Sequence, residues 1–243
     1  MNITPHEITL IDDELDLLAS CVTLANQQII ELGCGAATLA RKLLPRFPGS
    51  IVTGVEVDER QHAKNLDSPQ AGLRFVAGVA QAIPFANEDF DLALMLKSLH
   101  HVPRGSMAQA LAEVARVLRP GGHLYVSEPV YAGPLNDVAR LFNDEGTVRA
   151  AAQVAVDEAL RTGAWEQVVE RRFAVPVKFA DFADFEMRMM RPTFANHRID
   201  DAKLAEVRAV FEPHVNAAGA YFEQPMHVRL LRKRSGTDST SPA

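Results

Sequence analysis

Cysteine is scarce in this sequence: among 243 residues, only Cys21 and Cys34 occur. Two cysteines exclude a disulfide-stapled scaffold and argue against a zinc ribbon. No apolar run approaches the roughly 18 residues that cross a bilayer, and the first residues lack the basic start and apolar core of a secretory signal. We therefore expect a soluble, cytoplasmic protein without a membrane span.

Positive charge is also in short supply. The chain has 25 Lys and Arg against 31 Asp and Glu, a formal net charge of -6, which argues against general nucleic-acid binding. Apolar residues make up 47% and charged residues 23%, as in ordinary globular proteins rather than in fibres, coiled coils or disordered chains. The length suits one domain of about 200–250 residues. A monomer and a homodimer are both compatible with these numbers.

Short apolar runs alternate with helical periodicity in the first half. The runs, each about the length of a strand, cover residues 28–32, 51–55, 73–77, 90–96 and 123–127. Such alternation predicts βαβ units and a parallel sheet that is buried on both faces. The second half reads as helices, a strand over residues 167–179 and a last strand over residues 221–231. We predict a Rossmann-like α/β fold: a seven-stranded, mostly parallel sheet with helices on both faces, an antiparallel last strand and a helical insertion after the fifth strand.

A glycine turn follows the first predicted strand, where parallel sheets bind ligands. Gly33 and Gly35 allow a sharp turn and close approach of the backbone to a ligand. Glu56 ends the next strand, about 20 residues later, where a carboxylate can accept both hydroxyl groups of a ribose. Each feature alone has a simpler explanation, a tight turn or a solvated carboxylate. Together they favour a nucleoside-containing ligand.

The same region resembles class I methyltransferases that depend on S-adenosyl-L-methionine (SAM). Residues 31–37, Glu-Leu-Gly-Cys-Gly-Ala-Ala, are similar to the glycine-rich first motif of that family. The branch that includes ubiquinone-biosynthesis and many small-molecule methyltransferases shows a similar order and spacing. The resemblance covers about residues 25–130, and its other blocks are residues 54–57, 78–85, 90–92, 99–102 and 113–122.

The resemblance implies SAM as the cofactor, S-adenosylhomocysteine as the product, and roles for individual residues. The methionine end of SAM would contact the glycine turn, the ribose would contact Glu56, and Lys97 would lie near the methyl group. One departure concerns adenine: the family usually has Asp where this chain has Val79. A lost hydrogen bond costs about 0.5–1.5 kcal/mol, and Gln81 is a candidate substitute. The predicted cofactor-binding residues are Glu31, Gly33, Cys34, Gly35, Glu56, Val57, Val79, Ala80, Gln81 and Lys97.

We interpret the chain as a single methyltransferase domain over residues 1–231. A SAM-binding core occupies residues 25–130, a helical cap with one strand occupies residues 131–215, and the last strand occupies residues 221–231. Residues 232–243 are rich in Ser, Thr and Gly and are expected to form a disordered tail.

Candidate reactive and acceptor-binding groups flank this core. His101 is a candidate general base, because a neutral imidazole takes up a proton near pH 7, and Tyr131 is a candidate at the end of the fifth strand. We predict no metal, since adjacent histidines such as His100 and His101 rarely bind one ion together. Arginines clustered in the cap suggest a clamp for an acid, although solvated helix ends and surface ion pairs are the favoured explanation. The predicted substrate-binding residues are Phe142, Arg188, Arg191, Phe194 and His197.

The leading hypothesis is therefore methyl transfer from SAM, by in-line displacement, to an anionic or aromatic small molecule. A non-catalytic SAM-fold protein that binds a ligand or partner is the main alternative, motivated by Val79. A methyltransferase that acts on tRNA or protein is a third possibility, for which the net charge disfavours the nucleic acid. A dinucleotide oxidoreductase is disfavoured because Thr38 stands where the third glycine of its motif belongs.

Overall fold

Consecutive apolar residues of the first strands point to opposite faces of a sheet that is covered on both sides. The structure, a computed structural model, describes residues 8–191 and 199–235. In strand β1 (Gln28–Leu32), Ile29 and Ile30 belong to two different clusters of buried residues. In strand β4 (Phe90–Leu96), Leu94 belongs to one of these clusters and Met95 to the other. This alternation is the pleat of a strand, and burial on both faces is typical of parallel sheets.

Within the described residues, eight strands form one sheet. Strands β1 to β5 pair in parallel, whereas β8 pairs antiparallel with β5, β6 and β7. The order across the sheet is β3-β2-β1-β4-β5-β8-β6. The predicted fold class and the antiparallel last strand are confirmed; the additional strand, β7, has two residues. Besides β1 and β4, the strands are β2 (Ile51–Glu56), β3 (Leu73–Ala77), β5 (Leu118–Pro129), β6 (Trp165–Phe179), β7 (Val215–Asn216) and β8 (Gly219–Lys233).

Helices cover both faces and form the predicted insertion after β5. Two of them, α1 and α3, have eight residues each and were not predicted. Each is marked by an aspartate whose side chain caps its first turn, Asp13 and Asp58 respectively. The helices are α1 (Glu14–Cys21), α2 (Thr38–Arg46), α3 (Glu59–Leu66), α4 (Met107–Val117), α5 (Pro134–Ala139), α6 (Gly146–Arg161), α7 (Phe182–Phe185), which continues as a π-helical turn over Glu186–Met190, and α8 (Asp201–Phe211).

Phenylalanine rings hold the second half of the chain together. Phe185 of α7 lies 4.7 Å from Phe211 of α8 and 5.1 Å from Phe179 of β6, measured between ring centroids. Phe222 of β8 lies 5.8 Å from Phe211. This third cluster of buried residues is separate from the two on the faces of the sheet and fixes α7 and α8 against the β6–β8 pair.

Strand β8 is longer than the sequence pattern predicted. It ends at Lys233, so Arg232 and Lys233 extend the sheet instead of beginning the tail. Arg232 pairs in register with His123 and forms an ion pair with Glu166 at 2.6 Å. Residues 236–243 of the expected tail lie outside the described residues. Across residues 8–191 and 199–235, no helix is both long and apolar enough to span a bilayer.

The parallel register brings the predicted functional segments together at one edge of the sheet. Glu31 pairs with Gly54 and Leu32 with Val55, so the glycine turn after β1 lies beside Glu56 at the end of β2. The ends of β3, β4 and β5 follow along the same edge, which is where a sheet of this type binds its ligand.

Candidate active site

The turn after β1 depends on glycine for two different reasons. Gly33 has φ +65°, and a Cβ atom at this position would lie 2.8 Å from the Cβ of Ser98, so both conformation and space exclude a side chain. Gly35 has φ +52°, and the space where a Cβ would stand is open. Glycine is therefore favoured at this position only by the backbone conformation. Ala37 adopts φ +53° at the start of α2, a conformation that costs an L-residue about 1 kcal/mol.

The Glu56 carboxylate is held in place by the backbone around it. The N–H of Gly35 donates to Oε2 at 2.7 Å, and the N–H groups of Val57 and Asp58 each donate to Oε1 at 2.9 Å. A carboxylate offers about four lone-pair directions, so one on Oε2 is left for a ligand. The glycine turn and the end of β2 are thereby joined in one preorganised unit.

Glu31 is the second carboxylate at this edge, and it lies in the interior. Its side chain is buried, and Oε2 finds no hydrogen-bond partner among the described residues. Burial, followed by the negative charge of Glu56, raises the pKa of Glu31 to about 8. The carboxyl is therefore neutral at pH 7, and a cation beside it would favour its ionised form.

Cys34 points away from the ligand side of the turn. A Cβ on Gly54 would come within 2.8 Å of the Cys34 Sγ, so the thiol fills the space that Gly54 leaves in the sheet. Burial and the nearby Glu31 and Glu56 raise the pKa of Cys34, which makes it a poor nucleophile. The structure therefore places this predicted cofactor-binding residue in the core, although its backbone belongs to the turn.

A cleft of about 740 Å³ opens above these strand ends, within the usual range for small-molecule sites. Cys34 and Glu31 are absent from its lining, whereas the other predicted cofactor residues all contribute to it. Asp58, Gln61 and Ser98 also line the cleft and were missed by the sequence analysis. The predicted residues in the lining are Gly33, Gly35, Glu56, Val57, Val79, Ala80, Gln81 and Lys97.

The two adjacent histidines have different environments. His100 is buried, and its Nδ1 hydrogen-bonds with Oε2 of Glu128, whose Oε1 accepts from the N–H of Leu99 at 3.0 Å. His101 lines the cleft. Burial, followed by the neighbouring His100, lowers the pKa of His101. His101 is therefore neutral at pH 7 and able to accept a proton.

The carboxylate of Glu145, the residue before α6, lies next to this histidine pair. The ring nitrogens of His100 and His101 and a carboxylate oxygen of Glu145 lie within 4.8 Å of one another, a spacing that suits a metal ion. Arg149 donates two hydrogen bonds to Oε2 of Glu145, from Nη2 at 2.6 Å and from Nε at 3.1 Å. The guanidinium already supplies the positive charge that a metal ion would bring, which favours the metal-free interpretation.

Of the other predicted reactive and acceptor-binding residues, those that the structure describes are not part of the cleft lining. Tyr131 packs its ring on Gly146, and Phe142 packs against Phe185 at 6.1 Å between centroids. Arg188 forms an ion pair with Asp184 at 3.0 Å. Arg191 likewise pairs with a nearby carboxylate, that of Glu186, at 2.9 Å. Phe194 and His197 lie outside the described residues.

Comparison with known proteins agrees with this geometry. Residues 30–126 match the family model of a methyltransferase domain. Over 113 residues, the chain is 37% identical to the phthiotriol/phenolphthiotriol dimycocerosates methyltransferase of Mycobacterium leprae, covering 44% of this chain and 39% of that protein. Over 107 residues it is 36% identical to the ubiquinone/menaquinone biosynthesis C-methyltransferase of Paracoccus denitrificans, covering 42% of each. The chain thus aligns with less than half the length of these relatives.

Solved structures extend the likeness in fold to almost the whole chain. The YcgJ protein from Bacillus subtilis gives a TM-score of 0.64 at 18% identity, over 91% of this chain and 98% of that one. The [4+2]-cyclase SpnF gives a TM-score of 0.60 at 20% identity, over 96% of this chain and 88% of the cyclase. The resemblance seen in the sequence is confirmed: residues 30–126 match a methyltransferase domain, and both curated relatives are named as methyltransferases.

The buried carboxyl of Glu31 predicts an unusual dependence of stability on pH. The pKa of Glu31 is about 8 in the folded state and close to 4.3 in the unfolded chain. The stability that this carboxyl contributes to the fold is therefore complete below about pH 4.3 and is lost as the pH rises through about 8. We expect Glu31→Gln, relative to the native chain, to stabilise the protein by about 3 kcal/mol more at pH 8 than at pH 5, measured by urea unfolding.

Glu59→Gln is the matched control, since Glu59 is exposed in the first turn of α3. We expect it to change the free energy of unfolding by less than about 0.5 kcal/mol at both pH values. Equal effects of Glu31→Gln at pH 5 and pH 8 would contradict the buried, neutral carboxyl.

Proposed function

We propose that this protein transfers the methyl group of SAM to an apolar small molecule, aromatic or lipid-like, by in-line displacement. The observation that carries the proposal is the pair of carboxylates beside the glycine turn. Glu56 is fixed by three backbone N–H groups, and Glu31 is buried with an unpartnered oxygen. The remaining lone pair of Glu56 suits a ribose hydroxyl group, and Glu31 suits a cation.

The chemistry of these donors fits SAM. SAM carries a positive ammonium group and a positive sulfonium. The pKa of the buried Glu31 carboxyl is about 8, and a cation that binds beside this carboxyl favours its ionised form. Exposed Val57 and the nearby Val79 offer apolar surfaces in the cleft lining that suit the faces of adenine. Gln81, which also lines the cleft, is the proposed substitute for the usual aspartate.

When bound, SAM supplies a methyl group activated by the sulfonium, so the protein needs no nucleophile of its own. Its main task is to align the acceptor and exclude water. Lys97, the residue after β4, has a left-handed conformation, φ +55°, and its N–H donates to the carbonyl of Ser127 at 2.7 Å, which fixes the backbone at this end of the cleft. Neutral His101 takes the proton that an oxygen or nitrogen acceptor must lose.

The lining of the cleft favours an apolar acceptor over an acid. Among the described residues that line it, Lys97 and His101 are the only basic side chains, and Met95, Val102 and Pro103 provide apolar surface. The arginines proposed as an anion clamp, Arg188 and Arg191, are exposed and engaged with Asp184 and Glu186. Relatives named for dimycocerosates and for ubiquinone and menaquinone biosynthesis support the same choice.

A binding or cyclising protein without methyl transfer is the second candidate. Val79 in the cleft removes the side chain that usually recognises adenine, and the similar fold of a [4+2]-cyclase shows that such a scaffold is not restricted to methyl transfer. This candidate keeps the cleft and its apolar lining but assigns no turnover of SAM.

Turnover distinguishes the two candidates. The full chain is incubated with SAM and, separately, a phenol, a quinol, a long-chain fatty acid and a short dicarboxylate, and S-adenosylhomocysteine and methylated product are quantified by mass spectrometry. We expect product with one of the first three acceptors and none with the dicarboxylate.

Glu56→Gln is expected to lower kcat/KM at least about tenfold, because hydrogen bonds to a charged group contribute about 1.5–3 kcal/mol each.

Glu59→Gln is again the matched control and is expected to retain the native kcat/KM. Product from the dicarboxylate alone would overturn the apolar acceptor. Absence of S-adenosylhomocysteine with every acceptor would favour the second candidate.

Restoring the missing carboxylate tests the assignment of the adenine end. We expect Val79→Asp to tighten the binding of S-adenosylhomocysteine by about 2- to 10-fold, the equivalent of one additional hydrogen bond, as measured by calorimetry. Val168→Asp, at an exposed position of β6, adds the same charge elsewhere and is expected to leave the affinity unchanged. An equal effect of both variants, or weaker binding by Val79→Asp, would mean that adenine lies elsewhere.

A further inference from the structure

A chain of charged groups crosses from the end of β5 to the start of α6. Glu128 holds Nδ1 of His100, and Nε2 of His100 lies 3.8 Å from Oε2 of Glu145. Arg149, one turn further along α6, binds the same Oε2 and reaches the Asn136 side chain of α5 at 3.3 Å. The network joins the insertion after β5 to the cleft at the histidine pair.

The Glu145 side chain does not cap the helix that it precedes. It occupies the position before α6, yet within the described structure its side chain makes no capping hydrogen bond. Asp144 takes that role instead and accepts from the N–H of Gly146 at 3.0 Å. The Glu145 and Arg149 side chains are 15% and 13% exposed, and a buried ion pair is weak evidence for stability by itself. A role toward the histidines explains their placement better.

His101 lies at the meeting point of these groups. Its ring centroid is 4.1 Å from that of His100, and a ring nitrogen lies within 4.8 Å of the Glu145 carboxylate. The charged and titratable groups that act on it are His100 from the same turn, Glu128 from β5, and Glu145 and Arg149 from α6. Glu145 and Arg149 have opposite charges, so they influence a proton on His101 in opposite directions.

We propose that Glu145 and Arg149 are positioning residues that set the protonation of His101 in the acceptor site. The inference rests on the proposed function, in which the proton leaves the acceptor atom and binds a ring nitrogen of His101. Glu145 stabilises the imidazolium that results, since an opposite charge within about 5 Å favours the charged form. Arg149 orients that carboxylate and limits its effect, which keeps His101 neutral before the transfer.

Nuclear magnetic resonance titration of the histidine rings tests this directly in the full, unliganded chain. The signal of His101 is assigned from its loss in His101→Asn. We expect Glu145→Gln to lower the pKa of His101 by about one pH unit and Arg149→Met to raise this pKa by about one pH unit. The double variant is expected to return it close to the native value, because both charges are removed. Shifts in the same direction, or none, would overturn the proposal.

Two further variants separate electrostatics from loss of structure. Arg149→Lys keeps the charge and is expected to leave the pKa of His101 near the native value. Arg161→Met removes an exposed arginine from the far end of α6 and is expected to leave it unchanged. A shift with Arg161→Met as large as that with Arg149→Met would assign the effect to helix packing and overturn the proposal.

Kinetics connect this role to the reaction. Once the acceptor is known, the acid limb of the kcat profile should move to lower pH in Glu145→Gln and to higher pH in Arg149→Met. Opposite resonance shifts with an unchanged kcat profile would overturn the role in turnover. Opposite resonance shifts without methyl transfer by any variant would contradict the proposed function while retaining the control of His101 by α6.

Discussion

Three hydrogen bonds from the backbone to the Glu56 carboxylate hold the ligand edge of this sheet together. They come from Gly35 in the turn after β1 and from Val57 and Asp58 after β2. A turn that must fold back toward a neighbouring strand end requires positive φ, which explains the glycines at 33 and 35. The floor of the cleft, the burial of Glu31 and the position of α2 all depend on this connection.

A cationic ligand would stabilise the ionised form of the buried Glu31 carboxyl. Glu31 is costly to ionise in the unliganded protein, since it is buried near another carboxylate. His101, which lines the cleft, is kept neutral by burial and by His100. Glu31 is thus suited to a positive ligand, and His101 is suited to accept a proton.

Much of the fold and of the cofactor side could be predicted from the sequence, because both depend on local patterns. Apolar runs such as 28–32 and 90–96 became strands, and the glycine turn and Glu56 met at one edge as parallel register requires. The acceptor side was harder to predict. Glu145 and Arg149 come within reach of His101 only through the packing of α6 against the turn at Leu99–His101, and no spacing in the sequence reports that contact. The direction of the Cys34 side chain was equally hidden, since this residue of the motif is buried against Gly54.

The central claim is that a cationic SAM molecule binds beside Glu31 at the glycine turn. Calorimetry of SAM binding at pH 7, in two buffers with different ionisation enthalpies, measures the protons released. The account predicts release of about one proton by the native protein, as Glu31 ionises, and markedly less by Glu31→Gln. Absence of binding at millimolar SAM, or equal proton release by both proteins, would contradict it.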